Sequence, residues 1–255
     1  MRKFLGWLVC PFHTISFLMI LVKFHILQVI AFRWFGYQAH KRVADGMIWA
    51  LLMNLRFWTG SRIRFDPIPT EIPEGKPLIL VSNHQSMFDI PLIGWVFSKY
   101  HPKYISKKEL AKGIPSISYN IRNGGSIAID RKNPSEAVQL IRQFGAYLEK
   151  NGFAGCIFPE GTRSRNGQLL PFKTTGSVEL MKAAPNALII PVAISGSWEI
   201  MRYRYLPVPV GIKIRVTPLP AINRQNKTEE EIIRLCEQEI RKALGQDSSA
   251  DGEKP

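Results

Sequence analysis

Acidic side chains are scarce in this sequence, and cysteine is scarcer. Twenty Asp and Glu face 34 Lys and Arg over 255 residues, a formal balance of +14. Residues 221–255 hold eight acidic and six basic side chains, so the stretch before them carries about +16. A surface of that sign suits a polyanion: nucleic acid, an anionic bilayer or an acidic carrier protein. No helix-turn-helix, zinc-finger or RNP pattern accompanies the charge, which speaks against nucleic acid. Cys10, Cys156 and Cys236 form no CxxC pair and no dense framework, which favours a reducing compartment. No clustered ligand set points to a metal, and there is no internal repeat.

Long apolar runs are confined to the beginning. Arg2 and Lys3 precede one, as in a signal peptide, but no small-x-small cleavage site follows. The stretch from Ile15 to Phe35 is long enough to cross a hydrocarbon core, yet Lys23, His25 and Gln28 stand in its middle, where a charge opposes insertion. A second apolar segment, 43–58, follows Lys41 and Arg42 and contains Arg56. Two aromatic-rich helices with basic residues among them suit a two-helix hairpin dipped into one leaflet, its cations reaching headgroup phosphates. A single span and a helical pair buried against the domain are the alternatives.

After Gly60 the pattern changes to short apolar runs between turns, at 77–83, 103–106, 126–129, 155–158, 187–195 and 212–218. Helical stretches lie between several of them. This alternation predicts an α/β fold, an open mixed sheet with helices on both faces, preceded by the membrane-associating hairpin. The expected division is 1–60 for the helical segment, 61–245 for the α/β domain and 246–255 for a disordered tail. The clearest helix follows Asn133, with Pro134 at its first position and Glu136 placed for a capping box; Thr228 opens the last.

Chemistry gathers at strand ends. In "NHQSMFD", His84 leaves an apolar strand and Asp89 follows five residues later. Ligands collect beyond the carboxyl ends of strands in such sheets, and a strand-to-helix turn can bring this pair within hydrogen-bond reach as a general base. The pair lacks a nucleophile of its own. No GxSxG elbow occurs, and no cysteine has the company a reactive thiolate needs, so the substrate's own hydroxyl is the natural candidate. In "FPEGTRS", Gly161 permits close backbone approach, Thr162 and Ser164 offer hydroxyls, and Arg163 presents a fork suited to phosphate. Arg131, Lys107 and Lys108 stand at other strand ends, and together these cations describe a phosphate pocket.

In order, "NHQSMFD", "GSIAIDR", "FPEGTRS" and "IIPVAISG" resemble the four motif blocks of the glycerolipid acyltransferases, specifically the 1-acylglycerol-3-phosphate acyltransferases, over Ser82 to Gly196. Ala128 departs from the pattern, standing where a larger apolar residue is common. The resemblance implies His84 as general base and Asp89 as its orienting partner. It implies an acceptor-phosphate site of Glu160, Gly161, Thr162, Arg163 and Arg131, with Lys107 and Lys173 as further substrate-binding residues and Pro191 shaping an apolar wall. Lys173 is equally open to pairing with Glu160. The implied reaction moves a fatty acyl group from a thioester, acyl-CoA or acyl carrier protein, to the sn-2 hydroxyl of lysophosphatidate. No metal or cofactor is implied. The expected setting is an anionic membrane, the cytoplasmic face of the cell inner membrane, with monotopic or peripheral attachment. Another lyso-lipid acceptor and a non-catalytic basic module are the competing readings.

Overall fold

The structure, a computed structural model, describes residues 2–204 and 206–246. Seven strands among them form one mixed sheet: β1 (Arg62–Phe65), β2 (Leu78–Ser82), β3 (Lys103–Lys107), β4 (Ile127–Ile129), β5 (Ala154–Ile157), β6 (Leu188–Ser195) and β7 (Lys213–Pro218), in the order β1-β7-β6-β2-β5-β3-β4. Only β6 and β7 meet antiparallel. The six apolar runs after Gly60 are strands, but β1 has no such run to mark it. Its sequence, RIRF, alternates exposed arginines with half-buried apolar residues, as an edge strand does.

Strand β2 is buried on both faces. Leu78 and Leu80 join a core with Phe88, Leu92 and Phe97, while Ile79 and Val81 join another with Phe144, Leu148 and Leu180. Truncating one of these to alanine costs ~2–5 kcal/mol, so the strand that leads into His84 is firmly anchored. Helix α2 (Asp89–Val96) covers the first face, and α4 (Pro134–Asn151), α5 (Thr174–Ala183) and α6 (Glu229–Ala243) cover the second. A short α3 (Ile117–Asn123) lies between β3 and β4.

The caps repay the sequence expectations unequally. Thr228 and Glu231 form a reciprocal capping box at α6. At α4 the Asn133 side chain accepts from the Glu136 N–H, but the Glu136 carboxylate accepts from the Asn133 side-chain amide. The Asn133 backbone N–H is already donated to Asp130 O, so the expected box is not completed. The expected tail, 246–255, lies outside the described residues except for Gln246, which accepts from the Leu169 N–H and donates to Gly167 O.

The expectation for the beginning of the chain is a two-helix hairpin whose second helix starts after Lys41 and Arg42. A single helical run, α1 (Arg2–Thr59), continues through Lys41 and Arg42, and within it Gly36 alone leaves helical geometry (φ 75°, ψ −167°). A straight helix would separate Phe12 from Trp58 by about 69 Å at 1.5 Å per residue, yet their rings stack with centroids 5.3 Å apart. Asn54 hydrogen-bonds Ser16, and Gly46 lies against the Phe24 ring. The two arms therefore lie side by side. Leu52 and Leu55 on the second arm enter the same core as Leu80 and Phe88. The first arm turns Trp7, Phe12, Met19, Trp34 and Phe35 outward.

The two arms of α1 are fastened to the rest of the protein at their bend and near the amino terminus. Just past Gly36, the Tyr37 hydroxyl accepts from Lys103 Nζ at 2.7 Å and meets His101 Nδ1 at 2.8 Å. Lys103 is 5% exposed and lies over the Phe153 ring; burial lowers its pKa to about 8. At the other end, Gly6 packs so closely on Val208 that an added Cβ would sit 2.5 Å from the Val208 carbonyl oxygen.

Candidate active site

The carboxyl end of β2 delivers Asn83 and His84. The Asn83 side chain donates to Ile194 O and accepts from the Ile194 N–H, both at 2.8 Å, extending the pairing of β2 with β6 beyond its last strand residue. His84 Nδ1 lies 2.8 Å from Asp89 Oδ2. The His84 ring stacks on Phe158, centroids 4.2 Å apart. With Nδ1 engaged by the carboxylate, Nε2 is the nitrogen left to exchange a proton with a substrate.

Asp89 is fully buried and richly bonded. Its Oδ2 also accepts from the Gln85 N–H at 2.6 Å and the Ser86 N–H at 2.8 Å, while Oδ1 accepts from the hydroxyls of Ser86 at 3.2 Å and Ser197 at 2.6 Å. A buried carboxylate needs such compensation. Here the donors also fix both oxygens, so the imidazole faces an acceptor that cannot rotate.

Glu160 holds the histidine from behind. One carboxylate oxygen accepts from the His84 N–H at 2.6 Å and the other from the Leu170 N–H at 3.1 Å. The His84 carbonyl in turn accepts from the Ser164 N–H at 2.8 Å. Both backbone groups of His84 are thus gripped by the FPEGTRS segment. Burial pushes the Glu160 pKa up to about 7; the two N–H bonds work in the opposite direction, and the charges of Asp89 and Glu237 add to the rise. Among the described residues no ion pair joins Lys173 to Glu160, and the Lys173 side chain runs past Gly161 instead.

The cations form an exposed rim. Gly161 turns the chain with φ 69°, and its carbonyl accepts from Arg131 Nη1, which joins the end of β4 to the end of β5. Thr162, Arg163, Lys173 and Lys107 are also exposed, and Arg163 Nη1 reaches Met201 Sδ at 3.5 Å. Lys107 ends β3 opposite Ile129. Pro191 lies farther back, in mid-strand opposite Val81. Sequence reasoning missed Ser197, Ser86, Gln85 and Asn83, whose side chains brace Asp89 and the strand end that delivers His84. For Ser197 the available signal was a small hydroxyl residue beyond the glycine that closes an apolar strand, as found in "AISGS".

A family profile described as Acyltransferase matches residues 66–195, about half of the chain. The 1-acyl-sn-glycerol-3-phosphate acyltransferase of Limnanthes alba is 31% identical over 212 residues, covering 74% of this chain and 72% of that one. The chain belongs to the 1-acylglycerol-3-phosphate acyltransferase family. Enzymes of the same description from Limnanthes douglasii and Saccharomyces cerevisiae are 32% and 30% identical over 62% and 64% of this chain, and 54% and 52% of their own lengths. The chain thus spans about half the length of these two curated relatives. A crystal structure titled as the 1-acyl-sn-glycerophosphate (LPA) acyltransferase PlsC of Thermotoga maritima shares the fold, with a TM-score of 0.76 at 23% identity over 100% of both chains. The family match runs from Asp66, directly after β1, to Ser195, the last residue of β6. It takes in the dyad, Glu160 and every cation of the rim named above, and stops two residues short of Ser197.

Proposed function

We propose that the protein transfers a fatty acyl group from a thioester to the sn-2 hydroxyl of 1-acylglycerol-3-phosphate, making phosphatidate. The observation that carries this reading is the pairing of half-buried His84 with fully buried Asp89 at 2.8 Å, set beside an exposed rim of Arg131, Arg163, Lys173 and Lys107. His84 Nε2 takes the proton of the acceptor hydroxyl as its oxygen attacks the thioester carbonyl. The tetrahedral intermediate collapses with cleavage of the C–S bond, and the imidazolium returns its proton to the leaving sulfur. No acyl-enzyme forms. Asp89 fixes the imidazole tautomer and balances its charge.

The rim receives the acceptor's phosphate. Arg163 offers two N–H groups in a plane and Arg131 a second guanidinium, while Thr162 and the turn at Gly161 line the same segment. Glu160 serves differently from the role implied by motif resemblance. With both oxygens on backbone N–H groups, it positions His84 rather than touching substrate.

The apolar outer face of α1 docks the enzyme on an anionic membrane without crossing it. Outward aromatic residues along the first arm and the exposed Lys23 and Arg33 among them suit an interfacial helix. Residues 1–60 are then the membrane segment and 61–245 the catalytic one. Because acyl-CoA and acyl carrier protein are cytosolic, this reading sets the site at the cytoplasmic face of the inner membrane. Purified protein supplied with lysophosphatidate, other lyso-lipid acceptors and each donor should yield phosphatidate by mass. Preference for an acceptor lacking phosphate would overturn the acceptor assignment, and absence of any acyl transfer would overturn the reaction.

A further inference from the structure

Beyond the fourth motif block, the turn Ser197–Met201 packs over the site from the end of β6. The entry to this turn is tightly specified. Gly196 has φ 79°, and a Cβ there would lie 2.0 Å from Lys213 O, so any side chain would push the turn off its strand. Ser197 is fully buried, and its hydroxyl donates to Asp89 Oδ1 at 2.6 Å across 108 residues of sequence. Gln85 Oε1 lies 3.3 Å from the same hydroxyl as a second, longer acceptor for its one proton, and Gln85 Nε2 donates to Gly167 O. One residue on, the Trp198 indole lies directly on Gly167, in the loop that follows Arg163, and a Cβ at Gly167 would come within 2.5 Å of its Nε1. Met201 at the far end of the turn receives Arg163 Nη1.

We propose that Ser197 is a positioning residue for acyl transfer, and that its turn ties the carboxylate of the dyad to the loop bearing Arg163. This rests on the acyltransferase mechanism proposed above. Of the four groups that donate to Asp89 besides His84, three belong to Gln85 and Ser86, within the dyad's own turn. Ser197 is the donor supplied from elsewhere in the fold, so it relates that turn to the neighbouring strand. Without its hydroxyl, Oδ1 keeps only the longer bond from Ser86, and the carboxylate is held less firmly in the plane that meets the imidazole.

The test compares Ser197→Ala, Ser197→Thr, Asp89→Asn and the double variant Ser197→Ala/Asp89→Asn, each with lysophosphatidate and acyl-CoA. Ser197→Ala should lower kcat on the order of 10-fold, the scale of one hydrogen bond to a charged group, with KM for either substrate little changed. Ser197→Thr should recover most of the loss, and Ser197→Ala should add almost nothing on the Asp89→Asn background, since it acts through that carboxylate. The downfield proton resonance of His84 Nδ1 reports the pair without turnover. It should move upfield in Ser197→Ala and return in Ser197→Thr. A wild-type protein without transferase activity would refute the proposed reaction while leaving this resonance to decide the role of Ser197. Unchanged kcat and resonance in Ser197→Ala, or a loss that multiplies fully with Asp89→Asn, overturns the positioning role.

Discussion

The dyad and the cationic rim are neighbours built on opposite terms. Asp89 is sealed from solvent with every oxygen engaged, and His84 is fastened at side chain, amide and carbonyl. Arg131, Thr162, Arg163 and Lys173 stand exposed in the loops that follow β4 and β5. A proton-transfer group must hold its geometry through the reaction, because small misplacements lose large factors in rate. A phosphate-binding rim can adapt, since long cationic side chains move to meet a headgroup. On the mechanism proposed above, the rate would depend on the buried half and acceptor preference on the exposed half.

The contrast breaks most decisively at His84. His84→Ala should reduce turnover on the order of 10⁴-fold and Asp89→Asn by 10²-fold or more, with membrane binding intact by vesicle flotation. Retained turnover in either would show that the buried half is not where the chemistry occurs. Glu160→Gln keeps the shape of its support but offers one acceptor where two N–H groups need one, so kcat should fall roughly 10-fold.

Glu160 also gives stability a pH dependence. Its pKa in the folded protein, about 7, lies above the ordinary carboxylate range. The folded state therefore binds more protons than the unfolded state between pH ~4.5 and ~7, and the contribution of this group to stability falls as pH rises through that window. Denaturant midpoints across the window should show a downward slope with pH that Glu160→Gln reduces. An unaltered slope would mean that the carboxylate is ionised throughout. The smallest effect belongs to the rim: Arg163→Ala should raise KM for lysophosphatidate about 5-fold with kcat nearly unchanged, and Arg163→Lys should restore only part of it. A fall in kcat as large as that of Glu160→Gln would erase the division between the two halves.

The sequence made the dyad legible because its parts are local: an apolar strand, a histidine at its exit and a carboxylate on the next turn. The strands were legible for a similar reason, each being an apolar run bounded by turn residues. What escaped was set by distance. Ser197 meets Asp89 across 108 residues and Glu160 meets His84 across 76, and neither contact leaves a periodic or compositional trace near either partner. The short β1 escaped because two of its four residues are arginines. Within α1, the helical pattern runs unbroken past Lys41 and Arg42, and the reversal is concentrated at Gly36 alone.

The fastenings of α1 have a mechanical consequence. One end rests against Val208 and the other is tied through Tyr37 to Lys103, so the helical pair behaves as a beam clamped at both ends rather than an arm on a hinge. On the membrane docking proposed above, a hinged anchor would let the catalytic body rise and tilt over the bilayer, whereas a clamped one would fix the height and pitch at which His84 rides above the lipid. The reach of an acceptor molecule, from its seat in such a membrane to the imidazole, would then be a constant of the fold.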